Sequence, residues 1–343
     1  MYFASDNSGP VCPEILHALT RANHAFAPSY GADDITQQAQ TRVREKFEAP
    51  DAAIYLVATG SAANVLALSA LSEPWETIFC TADSHIHQDE CNAIEFFGGN
   101  KLTLVQGDDK INPEALHEEI LRQEQRGVHG PQRGPVSITQ ITEKGSLYSL
   151  DELHSLTHVA HEFNLPVHMD GARFANALVA LGCSPADMTW KAGIDVVSFG
   201  GTKNGCLQLE AVIFFDPGKA REFELRRKRG AHLLSKHRFI AAQMVEYLRE
   251  DLWLRCARNA NARARQLAEG LQQANFTLLA MPRANMVFAK MSRATYQRLK
   301  EAGVTFYLWN SMEEGPAEET ITARFVCDWF ITPEQIDEFL QLI

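Results

Sequence analysis

Between residues 51 and 215 short apolar runs alternate with longer stretches of helical period, and this alternation restricts the fold more than any other feature. Residues 51–58, 77–80, 101–105, 135–141, 165–169, 194–199 and 211–215 read as strands. A helix-like stretch starts near Ser61. Residues 112–125 read as a helix with Pro113 at its start, and 149–164 as one capped by Ser149. Strands this apolar need cover on both faces, which predicts an α/β fold with a mostly parallel central sheet. The pattern changes near residue 240. Residues 240–271 read as one or two long helices. Short strands at 276–279, 286–290, 304–308 and 321–326 follow, with a helix at 294–302 and a last helix opening on the capping-box start at Thr332. We therefore expect a large α/β domain over 1–240, N-terminal segment included, and a smaller α+β domain over 241–343. The length of 343 residues agrees, because single cores stop growing near about 250–300 residues.

Composition narrows the function. The net charge of −11 opposes a broad phosphate-backbone footprint, so no nucleic-acid partner is expected. No apolar run approaches the ~20 residues that span a bilayer, and the first residues lack the basic and apolar regions of a secretory signal. Neither a membrane nor export is expected, which leaves the cytoplasm. The seven cysteines are scattered without a Cys-x-x-Cys pair and read as reduced thiols. The loop 125–134 reads as mobile, the acidic stretch 312–319 as a solvated turn, and the basic run 226–229 as a solvated helix end. His154, His158 and His161 read as a solvated helix face rather than metal ligands, and no metal is expected.

Four segments can carry chemistry. Gly200-Gly201-Thr202-Lys203-Asn204-Gly205 follows a buried strand, at the strand end where open α/β sheets place ligands. A lysine there can lose its proton by desolvation and bond a carbonyl carbon. His168-Met169-Asp170-Gly171-Ala172-Arg173 places a carboxylate at the end of the preceding strand, able to hold a protonated ring nitrogen, and an arginine suited to an anionic oxygen. Together they fit a pyridoxal 5′-phosphate site, with Asp170 to the pyridine nitrogen and Lys203 to the aldehyde. Thr59-Gly60-Ser61-Ala62-Ala63-Asn64 opens a helix with free N–H groups suited to a phosphate. In 84–90, His85 can stack on a flat ring or act as a base. Each segment alone also fits a purely structural role.

Taken in order, these segments, with Ser5-Asp6-Asn7, Tyr30-Gly31 and Ala323-Arg324, resemble the L-threonine aldolase family of fold-type-I pyridoxal-phosphate enzymes, most closely its low-specificity and phenylserine-type branch. The resemblance spans nearly the whole chain and implies a fold-type-I, transferase-like α/β architecture. It implies that Lys203 bonds the cofactor aldehyde, Asp170 pairs with the ring nitrogen and Arg173 lies near the ring hydroxyl. It places Gly60 and Ser61 on the phosphate, His85 on the ring face, and Ser5 and Arg324 on the substrate carboxylate. A basic residue from a neighbouring subunit, Lys236 here, would also reach the phosphate. The implied assembly is a homotetramer with active sites at a dimer interface. The implied reaction is cleavage of L-β-hydroxy-α-amino acids to glycine and an aldehyde.

One position departs from the family pattern. Many members carry a second histidine after the strand that precedes the Asp170 strand, and Glu143 stands there instead. The base for the β-hydroxyl proton is then His85, a water held by Glu143, or Asp89, with His85 preferred. Competing readings are a β-eliminating or serine hydroxymethyltransferase-like lyase and a catalytically silent cofactor-binding protein. A nucleotide-binding module ranks last, because both the Walker A and the Gly-x-Gly-x-x-Gly spacings are missing.

Overall fold

The fold was described from a computed structural model that covers residues 1–107 and 109–343. Seven strands form the central sheet: β1 (Ala53–Val57), β2 (Glu76–Cys80), β3 (Lys101–Leu104), β4 (Gln132–Thr139), β5 (Val167–Gly171), β6 (Val196–Gly200) and β7 (Glu210–Phe214). Their order is β1-β7-β6-β5-β4-β2-β3. All neighbours run parallel except β7, which is antiparallel to both β1 and β6. β5, β6 and β7 are buried at every position. This is the both-faces-covered environment that their mostly apolar sequences anticipate.

Helix Gly60–Leu71 explains how one face is covered. It is apolar nearly all round, and every residue from Ala62 to Leu71 is buried, against the sheet on one side and further helices on the other. Ser149 caps helix Leu150–Glu162 in a full capping box with Glu152, and Thr332 does the same with Gln335 for Pro333–Leu340.

The C-terminal part holds a four-stranded antiparallel sheet, ordered β10 (Tyr307–Leu308), β11 (Thr320–Val326), β9 (Met286–Ser292) and β8 (Thr277–Leu278). The 240–271 stretch is two helices, Arg238–Tyr247 and Leu252–Gln273. The second joins both cores: Trp253, Cys256 and Ala257 pack with the large sheet, while Ala264, Leu267 and Leu271 pack with Phe325 and Phe339. Phe3 sits in this second core, so the N-terminal segment crosses the molecule to reach it.

The acidic turn is exposed as expected, and the basic run departs from expectation at Arg227. The acidic turn 312–319 is anchored by Arg293, which is 1% exposed and donates to the carbonyls of Met312, Glu313 and Pro316 and to the Glu319 carboxylate. In the basic run, Arg227 is buried, lies over the Tyr55 ring and donates to the Leu56 carbonyl. Its stem gains apolar contact that pattern reading assigns to water. The loop 125–134 contains a 3-10 turn, Gly127–His129, before β4 begins at Gln132. Among the described residues no helix is long and apolar enough to cross a membrane. Nor does any group of His, Cys, Asp and Glu among them form a metal cluster; His158 and His161 pair with Glu162 and Asp195.

Candidate active site

The site forms where β1, β5 and β6 end, and two glycines make the approach possible. A Cβ on Gly200 would lie 2.5 Å from the Ala172 carbonyl oxygen, so only glycine lets the end of β6 close on the turn after Asp170. Gly205 has φ +99° and closes the lysine turn, Thr202–Asn204. Asn204 fixes that turn from below, its Nδ2 donating to Tyr247 Oη (2.7 Å) and to the Trp253 carbonyl (2.8 Å). Lys203, half-buried, is thereby held at the edge of a cleft of about 360 Å³ that Asp170 also lines.

Asp170 is 3% exposed and belongs to a chain of polar groups. Its Oδ1 accepts from the Ala172 N–H (3.0 Å) and its Oδ2 from Asn64 Nδ2 (2.9 Å). The same Asn64 nitrogen donates to Glu90 Oε1 at 3.0 Å, and that oxygen lies 2.8 Å from His85 Nδ1. Burial favours neutral imidazole at His85, but the Glu90 bond and the charges of Asp170 and Glu90 outweigh it and leave the pKa raised. Burial likewise raises Glu90, against the pull of His85. His168, one residue from this chain, is structural. It bridges Ser137 and Ser198 across three strands, and burial lowers its pKa to about 4.

Helix Gly60–Leu71 points its N-terminus into the cleft. Thr59 caps it, accepting from the Ala62 N–H at 3.2 Å. A Cβ built on Gly60 meets nothing within 4 Å, so the space above the turn is open, and Gly60 and Ser61 both line the cleft. Free N–H groups at the start of a 12-residue helix with a hydroxyl beside them are the donor set of a phosphate site.

Of the remaining candidates, Arg173 and Glu143 line the cleft, while Arg324, Asp89, Ser5 and Lys236 do not. Arg173 lines the cleft, but its fork is engaged by Asp6, at 2.7 Å from Nε and 2.9 Å from Nη2, and Asn285 donates to the same carboxylate at 3.0 Å. Burial raises the Asp6 carboxyl, yet Arg173 and Lys203 more than offset it and hold the pKa low. Arg324, on β11, has no carboxylate within salt-bridge reach among the described residues. Its Nη2 meets only Met286 Sδ at 3.5 Å, and its Nε is buried without a partner. Burial and the charge of Arg173 lower its pKa, while Glu143, Asp6 and Asp89 pull the other way. Glu143 lines the cleft; Asp89 is exposed and does not. Ser5 borders a separate small cavity with Tyr2 and Phe3 and accepts from the Asn7 N–H, and it is Asn7 that lines the cleft. Lys236 is exposed and does not line the cleft of its own chain. Pattern reading gave no role to Asn64, Glu90, Asp6, Asn285 or Glu210, although Asn64 and Glu90 fall inside segments it singled out.

The residues present fit pyridoxal phosphate. A buried two-donor carboxylate and a lysine sit at neighbouring strand ends, an open helix N-terminus lies alongside, and Arg324, within charge range of Arg173 and Glu143, has no carboxylate within salt-bridge reach among the described residues. Fold and site together define a fold-type-I pyridoxal-phosphate enzyme.

Comparison with known proteins narrows the class. A family model described as beta-eliminating lyase matches residues 2–294. The low specificity L-threonine aldolase of Pseudomonas aeruginosa is 40% identical over 98% of this chain and 95% of its own length. That of Pseudomonas sp. strain NCIMB 10558 is also 40% identical, over 95% of this chain and 92% of its own. Among solved structures, the Leishmania major threonine aldolase superposes with a TM-score of 0.93 at 24% identity, covering 99% of this chain and 98% of that one. Serine palmitoyltransferase from S. paucimobilis shares the fold at a TM-score of 0.71 and 18% identity, covering 100% and 86%. The chain belongs to the beta-eliminating lyase family and, within it, to the low-specificity L-threonine aldolases.

Proposed function

We propose that this protein cleaves L-β-hydroxy-α-amino acids between Cα and Cβ, giving glycine and an aldehyde, and that its substrates include L-threonine, L-allo-threonine and phenylserine. The observation that carries the reading is Asp170 and Lys203 on one cleft; Arg324 does not line it but lies within charge range of Arg173 and Glu143, which do. When bound, pyridoxal phosphate supplies the electron sink that accepts the pair released from the Cα–Cβ bond.

The chain's own residues decide which bond breaks. Asp170, held by two neutral donors, would face the ring nitrogen and pair with its proton. Lys203 would supply the amine that tethers the cofactor. Gly60 and Ser61 hold the phosphate. Arg324 would take the substrate carboxylate and so orient the bond to be broken. Arg173, braced by Asp6, faces the ring hydroxyl. Ser5 acts on the carboxylate through Asn7, whose N–H it holds.

His85 stacks on the ring and removes the β-hydroxyl proton at Nε2. What supports it over Asp89 is its place on the cleft and its Nδ1 contact with Glu90, which fixes the ring. Glu143 also lines the cleft and is the second candidate, through a water. Lys236, exposed in its own chain, reaches a neighbouring subunit's phosphate in a homotetramer whose sites complete across a dimer interface. The enzyme works in the cytoplasm.

Aldehyde and glycine release from L-threonine, L-allo-threonine and L-phenylserine, with and without added pyridoxal phosphate, tests the reading. Release of α-keto acid and ammonia instead would assign a β-eliminating lyase. Equal cleavage of D-threonine would refute the L-configuration.

A further inference from the structure

We infer that Glu210 meets the cofactor phosphate as a neutral carboxyl donor, so that ionisation of Glu210 loosens the grip on the phosphate. The inference rests on the reading that the cleft takes pyridoxal phosphate. Glu210 opens β7 and pairs in register with Val57, the last residue of β1, and with Gly200, the last of β6. Because β7 runs against both neighbours, its first residue stands at the edge where they end. On one side lies the open turn at Gly60 and Ser61, on the other the Lys203 turn. The side chain lines the cleft with Thr59, Gly60, Ser61, Thr202 and Lys203, yet the residue is only 5% exposed.

A buried carboxylate beside a phosphate dianion is a conflict of like charges, and one proton removes it. The proton also turns an acceptor into a donor aimed at the phosphate oxygens. The surroundings favour that state. Burial pushes the Glu210 carboxyl up to about 7, against the hydrogen bond from Thr202 and the charge of Lys203, while Asp170 adds to the rise. Lys203 and Asp170 are the charged neighbours. Cys206 and Tyr247, which also face Glu210, are held in their neutral forms by burial. Across the cleft stand His85, Glu143 and Arg173. A bound dianion raises the carboxyl further, so phosphate binding draws in a proton and weakens as pH climbs past neutrality. The phosphate itself is already a dianion there, its second pKa being about 6, and contributes no such dependence.

The test compares pyridoxal phosphate with pyridoxal, which lacks the phosphate, by fluorescence titration of the cofactor-depleted full chain at pH values either side of neutrality. The ratio of the two dissociation constants isolates the phosphate contribution. In the wild type the advantage of pyridoxal phosphate should fall by up to about tenfold per pH unit above neutrality. In Glu210→Gln, whose amide donates at every pH, the advantage should stay high and flat. In Glu210→Ala it should be low throughout. A wild-type ratio that does not change with pH overturns the inference even if the variants fail to fold. So does a Glu210→Gln protein that binds as weakly as Glu210→Ala at neutral pH. If wild type gains nothing from the phosphate at any pH, the assignment of the cleft falls, and this inference with it.

Discussion

Replacing Glu90 with glutamine should move the acid limb of the pH–rate profile to lower pH. Glu90 Oε1 lies 2.8 Å from His85 Nδ1 and shares that oxygen with Asn64. Two unit charges centred about 4 Å apart interact by about 4 kcal/mol at an effective dielectric of ~20, the bare equivalent of about three pKa units. His85 is partly open to the cleft, its side chain 28% exposed, and the glutamine keeps a neutral hydrogen bond, so the limb expresses only part of that bare interaction. The sign follows from the charge. Glu90 stabilises the imidazolium and burial opposes it, so without the carboxylate His85 loses its proton at lower pH and the base form is present earlier. The assay is kcat/KM for L-threonine against pH, in wild type, Glu90→Gln and His85→Asn. His85→Asn should lose the limb with most of the rate. If the limb stays in place in Glu90→Gln, or rises, His85 is not the group it reports, and Glu143 becomes the base to test.

Three further outcomes follow from the geometry. Arg173→Ala leaves the Asp6 carboxylate buried with only Asn285 as donor, and should cost about 3–5 kcal/mol in urea unfolding, with Asp6→Asn milder. Arg324→Ala removes a guanidinium with no carboxylate within salt-bridge reach among the described residues, and should lower kcat/KM for L-threonine about a hundredfold while leaving the cofactor absorbance unchanged. Gly205→Ala forces a side chain at φ +99° to within 2.3 Å of Cys12 Sγ, and should destabilise the lysine turn by about 1–3 kcal/mol, read as faster cofactor loss on dilution.

The parts of this site that sequence could name share a physical reason for being visible. Asp170 and Lys203 each lie at or just past the end of a mostly apolar strand and are followed or flanked by glycine. A polar residue at such a boundary has few structural reasons to be there, and the sheet then brings the two ends together through parallel pairing of β5 and β6. Thr59 to Ser61 is visible for the same reason at the end of β1. What pattern reading passed over is whatever depends on register or on distant chain. Glu210 merges with the apolar strand that follows it, and only the antiparallel pairing of β7 with β1 and β6 puts its side chain on the cleft rather than in the core. Asn64 and Glu90 were within view but had no role until the packing of helix Gly60–Leu71 set one amide between two carboxylates. Asp6 finds Arg173 across 167 residues, a pairing that no local period encodes. Arg227 was read as solvated by charge alone, although it is buried, lies over the Tyr55 ring and donates to the Leu56 carbonyl; Arg293, which no local pattern singled out, satisfies its head on three main-chain carbonyls. Strand-end chemistry is thus written locally. The groups that surround it, at His85, Asp170 and the phosphate turn, are written in the topology.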